Sequence, residues 1–108
     1  MYTSDQKSAI YAFLATAMCC DGSADPREQS VLREAIAYFQ ISSYEQLHAT
    51  DKNINQQAAV LKGMSMDQKI TFGKYMKRII LADGYVERHE GFLFQKLMSD
   101  IGVNINSL

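Results

Sequence analysis

Six carboxylates stand in two short clusters. Asp21, Asp25 and Glu28 fall within "DGSADPRE", and Asp83, Glu87 and Glu90 within "DGYVERHE". Carboxylates set this close repel one another when ionised. Their chemistry is to hold a divalent cation, to meet a basic partner, or to satisfy the free amide donors of a helix start. The last use accounts for four of them. Asp25-Pro26-Arg27-Glu28 reads as a helix start, with Asp25 as N-cap, Pro26 at the first helical position and Glu28 reaching back to the cap. Glu87 to Glu90 repeats it with a poorer cap. Asp21 and Asp83 are left over, because each falls at the predicted C-terminal end of a helix, where the dipole disfavours an anion. An unhelpful charge placed twice asks for a partner.

An EF-hand does not supply one. Gly22 and Glu28 have the required spacing, but the first and third ligand positions fall on Ala17 and Cys19, and in the second cluster on Ile79 and Leu81. None offers a side-chain oxygen. Other chemistries are sparser still. Cys19 and Cys20 are adjacent, so they cannot close a stabilising loop, and nothing nearby completes a zinc set. They read as small apolar filler in a reducing compartment. His48 and His89 have no nucleophile at a recognisable spacing, and no glycine-rich phosphate loop is present. Hydrolytic catalysis therefore has little support, and the chain reads as non-enzymatic.

The elements that position the carboxylates are written twice. Asp83 lies 62 positions after Asp21, and the same offset pairs Gly22 with Gly84, Asp25 with Glu87 and Glu28 with Glu90. Upstream it pairs Phe13 with Tyr75, Leu14 with Met76, Ala17 with Ile79 and Met18 with Ile80. Downstream it pairs Val31 with Leu93, Leu32 with Phe94, Ala35 with Leu97, Ile36 with Met98 and Phe39 with Ile101. This is an internal duplication, at about 10–42 and 72–104. Two such units packed about a pseudo-twofold axis would bring their acidic turns together.

Each copy has helix, acidic turn, helix. Ile10, Phe13, Leu14, Ala17 and Met18 form one helical stripe, and Phe72, Tyr75, Met76, Ile79 and Ile80 repeat it. Ala12, Ala15 and Thr16 are small where the second copy has Lys74, Lys77 and Arg78, which predicts a central first helix approached from its second side. Between the copies, "SSYEQL" predicts a short helix with Ser43 as N-cap and Gln46 at N3. A further helix is capped by Asn53 or Asn55 and ends near Gly63, and Ser65 with Gln68 forms a capping box for the long helix that follows. Gly102 reads as a helix stop. The expected fold is all-α, a compact bundle of about six helices in a single domain over 1–108.

"DGSADPRE" and "DGYVERHE", each between apolar helices, resemble the Asp-Gly-x-x-x-x-x-Glu signature of the TerB-like tellurite-resistance family. The resemblance reaches from about Ile10 to Ile105 and includes the duplication. It implies an all-helical, pseudosymmetric fold, a metal-associated acidic surface, and a stress-response role, often as an adaptor near a membrane complex. Position by position it carries the acidic-site role to Asp21, Glu28, Asp83 and Glu90.

A net charge of −1 on 108 residues and a pI near 6.1 argue against a general nucleic-acid binder. The apolar run "SAIYAFLATAMCC" is too short to span a membrane and lacks a basic segment before it, so it reads as a buried helix of a cytoplasmic protein. Lys74, Lys77 and Arg78 share one helical face, a solvated face or a contact for an anion or partner. Met64 and Met66 are expected at an adaptable surface. Two functions follow. One is a binding domain whose acidic turns hold Ca²⁺, Mg²⁺, Mn²⁺ or Zn²⁺. The other is a plain interaction module, an adaptor or immunity-type inhibitor, whose carboxylates cap helices or meet a basic protein partner.

Overall fold

A computed structural model describes residues 2–18, 26–81 and 88–108, the side chains of 88–93 excepted. Its described residues form six α-helices: α1 (Ser4–Met18), α2 (Pro26–Phe39), α3 (Ser43–Leu47), α4 (Ile54–Lys62), α5 (Met66–Leu81) and α6 (Arg88–Ile101). Short 3₁₀ turns follow at His48–Thr50 and Ile105–Ser107.

Local chemistry sets most of the helix starts. Ser65 N–H donates to Gln68 Oε1 (3.0 Å) while Gln68 N–H donates to Ser65 Oγ (3.2 Å), the reciprocal capping box expected for α5. α4 starts the same way on Asn53 and Gln56, and its last turn closes at Gly63. α1 carries a box on Thr3 and Gln6. The start of α3 differs from the sequence expectation. Its N-cap is Ser42, paired with Glu45, rather than Ser43 with Gln46. The shift by one position turns Glu45 inward, to 6% exposure, where Lys7 and Ser4 of α1 also reach it.

The 62-residue offset recurs in the backbone. The capping box of α1 at Thr3 and Gln6 maps onto that of α5 at Ser65 and Gln68. α2 and α6 span equivalent residues, and both end in the same pair of hydrogen bonds. Ile41 N–H donates to Ile36 C=O (3.0 Å) and Val103 N–H to Met98 C=O (2.8 Å). Gln40 N–H reaches Ala37 C=O, as Gly102 N–H reaches Ser99 C=O. Each end is a Schellman motif with its left-handed residue at the expected place. Ser42 and Asn104, again 62 apart, each cap the helical turn that follows.

α1 is central, packing against α2, α3, α4, α5 and the first 3₁₀ turn. Its small residues Ala12 and Ala15 border a depression shared with Gln46, Ala49 and Gln57, on the side approached by α3 and α4. The core gathers the two predicted stripes. Ile10, Leu14, Phe72, Ile79 and Met98 are fully buried, with Phe39 and Ile101 at 1%. Met64 is also buried, at 5%, against expectation: it follows the last turn of α4 and enters the core, and only Met66 is exposed. The chain folds into 32 × 29 × 23 Å with a radius of gyration of 12.6 Å, close to the ~13 Å expected at this length.

Candidate functional site

The acidic turns join the C-termini of α1 and α5 to the N-termini of α2 and α6. Asp21, Asp25, Asp83 and Glu87 lie outside the described residues, as do Cys19 and Cys20. Glu90 is in the first turn of α6, its side chain outside the description. Glu28, in the first turn of α2, is the one predicted site carboxylate whose side chain is described, and it is 3% exposed. A solvent-facing cap would leave that group wet; here it points into the protein.

The described parts of α1 and α5 also meet. Phe13 and Ala17 of α1, with Met76 and Ile80 of α5, line one apolar cavity of about 100 Å³, bordered further by Leu97 of α6 and Ala58 of α4. The residues leading into the two turns thus start from a common wall. The cavity is small beside the roughly 300–1,000 Å³ of small-molecule sites, so it reads as imperfect packing rather than a ligand site. Among the described residues, no group of three or more His, Cys, Asp or Glu side chains is arranged to hold a metal ion.

The predicted basic face lies on the seam between α2 and α5, which run antiparallel there. Arg78 grips Glu34 through two hydrogen bonds, of 3.1 and 2.8 Å, and lies over the Tyr75 ring at 5.3 Å. This fork lowers the Glu34 pKa and raises that of Arg78. Tyr75 meets Tyr38 at a tilt (5.6 Å) and Phe39 edge-on (5.4 Å), and Phe39 meets Tyr2 edge-on (4.9 Å). Burial is the main cause that raises the Tyr75 and Tyr2 phenols. Lys77 Nζ donates to the Leu108 carbonyl at 3.2 Å. Sequence reasoning placed the three cations on one face but missed Glu34. The signal was the antiparallel register, which no pattern within either helix carries.

His48 is occupied locally. Its Nδ1 pairs with Asp51, and its ring stacks on Tyr44 at 4.3 Å. His89 lies in α6, its side chain outside the description. No described helix is long and apolar enough to cross a membrane.

No family model matches this chain, and no curated protein is significantly similar to it. A solved structure with the same fold is the crystal structure of a protein of unknown function, PG1108, from Porphyromonas gingivalis W83. The match has a TM-score of 0.78 at 18% identity and covers 99% of this chain and 92% of that one. At that identity the likeness speaks to architecture, and the architecture is an all-α helical bundle.

Proposed function

We propose that this chain is a single, non-enzymatic binding domain whose two acidic turns together hold a divalent cation. The tellurite-resistance resemblance gives that role its setting, a stress response in the cytoplasm, with a protein partner rather than a nucleic acid. The observation that carries the reading is the shared wall between α1 and α5. The two helices that lead into Asp21 and Asp83 converge on one cavity at Ala17 and Ile80.

The test is thermal unfolding in chelator, then with Ca²⁺, Mg²⁺, Mn²⁺ and Zn²⁺ added singly, for wild type and for Asp21→Asn/Asp83→Asn. An ion at 100 times its dissociation constant adds about 2.7 kcal/mol. In a domain of this size that is a rise of roughly 10 °C. A rise with one ion, lost in the double variant, is the expected result. No rise with any ion, and a variant as stable as wild type, would end the cation reading.

One observation favours the second reading, a plain interaction module. Tyr38 is 57% exposed while tilted against Tyr75, beside the Arg78 guanidinium. Tyrosine and arginine are the residue types that dominate binding hot spots. Loss of partner capture in Tyr38→Ala, with no response to metal, would select this reading.

A further inference from the structure

Four of the chain's 11 basic residues, Arg27, Lys74, Lys77 and Arg78, line one shallow groove between α2 and α5. Its floor is apolar, made by Val31, Leu81 and Leu108, and Leu81 is 45% exposed. No Asp or Glu is among the lining residues. Glu34, on the α2 side of the seam, has both oxygens on Arg78. Lys74 has no ion-pair partner among the described residues, and Lys77 donates to the main-chain oxygen of Leu108. In a chain of net charge −1, this is, among the described residues, a local excess of positive charge around exposed aliphatic surface.

The combination selects among anionic partners. A free phosphate would meet the cations and leave the aliphatic floor wet. A membrane surface takes apolar side chains that project beyond their cations. Here the order is reversed for two of the three aliphatic groups, since Val31 and Leu108 are half-buried while Lys74, Lys77 and Arg78 are exposed. An acidic peptide segment with an aliphatic anchor uses both parts. We propose that the α2–α5 groove docks an acidic segment of a protein partner, its carboxylates on Lys74 and Lys77 and one aliphatic side chain on Val31 and Leu81. The docking depends on these lining residues alone and requires no bound cation.

The test is an amide NMR titration of the whole chain in chelator. The probe is a glutamate-rich peptide of about ten residues with one central leucine, beside a leucine-free version and phosphatidylserine vesicles. Expected are shifts confined to the groove residues, with affinity falling about tenfold or more between roughly 0.05 and 0.3 M salt. Lys74→Glu/Lys77→Glu should lose about tenfold or more in affinity. Both side chains are exposed, so its melting temperature should stay near that of wild type. Leu81→Ala should weaken the leucine-bearing probe towards the leucine-free one. Unmoved groove resonances, equal binding by the charge-reversed variant, or no preference for the leucine-bearing probe would each overturn the proposal. Binding of vesicles without binding of peptide would overturn it too, and would give the groove to a membrane.

Discussion

Gln40 and Gly102, 62 residues apart, occupy the same left-handed position at the ends of equivalent helices, with φ of 56° and 82°. Each lets the next residue's amide reach back to the helix, from Ile41 to Ile36 and from Val103 to Met98. Glycine reaches this region without the Cβ–carbonyl clash that costs other residues about 1–2 kcal/mol. One copy thus carries the residue that the geometry favours, and the other does not.

Gln40→Gly should therefore stabilise the protein, by about 0.5–1 kcal/mol once the greater freedom of glycine in the unfolded chain is set against the relieved strain. Gly102→Ala should destabilise it by about 1 kcal/mol. A Cβ at Gly102 would have nothing within 4 Å, so that loss carries no steric clash and reports backbone strain net of the unfolded chain's entropy. Urea unfolding of the two variants gives both signs. Equal stabilities would show that the left-handed turns relax without cost.

These two positions also show where the sequence was readable. Gly102 was legible as a stop because glycine announces itself; Gln40 in the matching place was not, because glutamine carries no such signal. The Thr3 and Gln6 box was written in the same code as Ser65 and Gln68, and was missed because the apolar stripe begins only at Ile10. At α3, two serines each precede a cap-completing residue by three positions, so the local pattern fits both registers. Tertiary contact decides, because only the Ser42 register brings Glu45 to Lys7 and Ser4. Met64 was misplaced for a similar reason, since its burial follows from where the chain leaves α4. For the site, residue types and the offset marked the acidic turns, whereas the Arg78–Glu34 fork depends on how two distant helices align.

Glu45 makes a prediction about pH. Burial, the largest single effect on its carboxyl, resists ionisation, but it is outweighed by hydrogen bonds from the Ser42 backbone and hydroxyl, the Ser4 hydroxyl and the charge of Lys7. The net pKa lies below the ordinary 4.5. The folded protein then holds this proton less tightly than the unfolded chain. The stabilisation is complete above the unfolded value and fades as pH falls through the folded one. The stability gap between wild type and Glu45→Gln should be constant above about pH 5.5 and shrink towards acid. Melting temperatures across that range measure it, and a gap that widens in acid would contradict the assignment.

Leu14 and Leu47 separate core from surface within one residue type. Leu14 is fully buried in α1 among the elements that meet there, while Leu47 at the end of α3 is 74% exposed. Leu14→Ala should cost about 2–5 kcal/mol through lost transfer energy and the cavity left behind. Leu47→Ala should fall within about 0.5 kcal/mol of wild type. Chemical denaturation distinguishes them readily. A marginal effect at Leu14 would mean that the helices around α1 can collapse onto the vacated space.

Gly73 is closely enclosed by its neighbours. A Cβ there would come within 2.9 and 3.0 Å of the two Leu108 methyl carbons and 3.1 Å of Met98 Sδ. Gly73→Ala alone sets two terms against each other. Alanine improves the helix by about 1 kcal/mol, and displacing well-packed neighbours costs about 1–3 kcal/mol. Met98 is fully buried and has little room to give, so the net effect should be destabilising, by about 1 kcal/mol. Leu108→Ala removes the two closest atoms. In that background Gly73→Ala should become neutral or stabilising, because the helix gain remains while most of the clash has gone. A double-mutant cycle in urea should give a coupling of about 1 kcal/mol or more between the two positions. Additive effects would show that the Leu108 side chain swings clear without cost, and would place the constraint on Gly73 with Met98 alone.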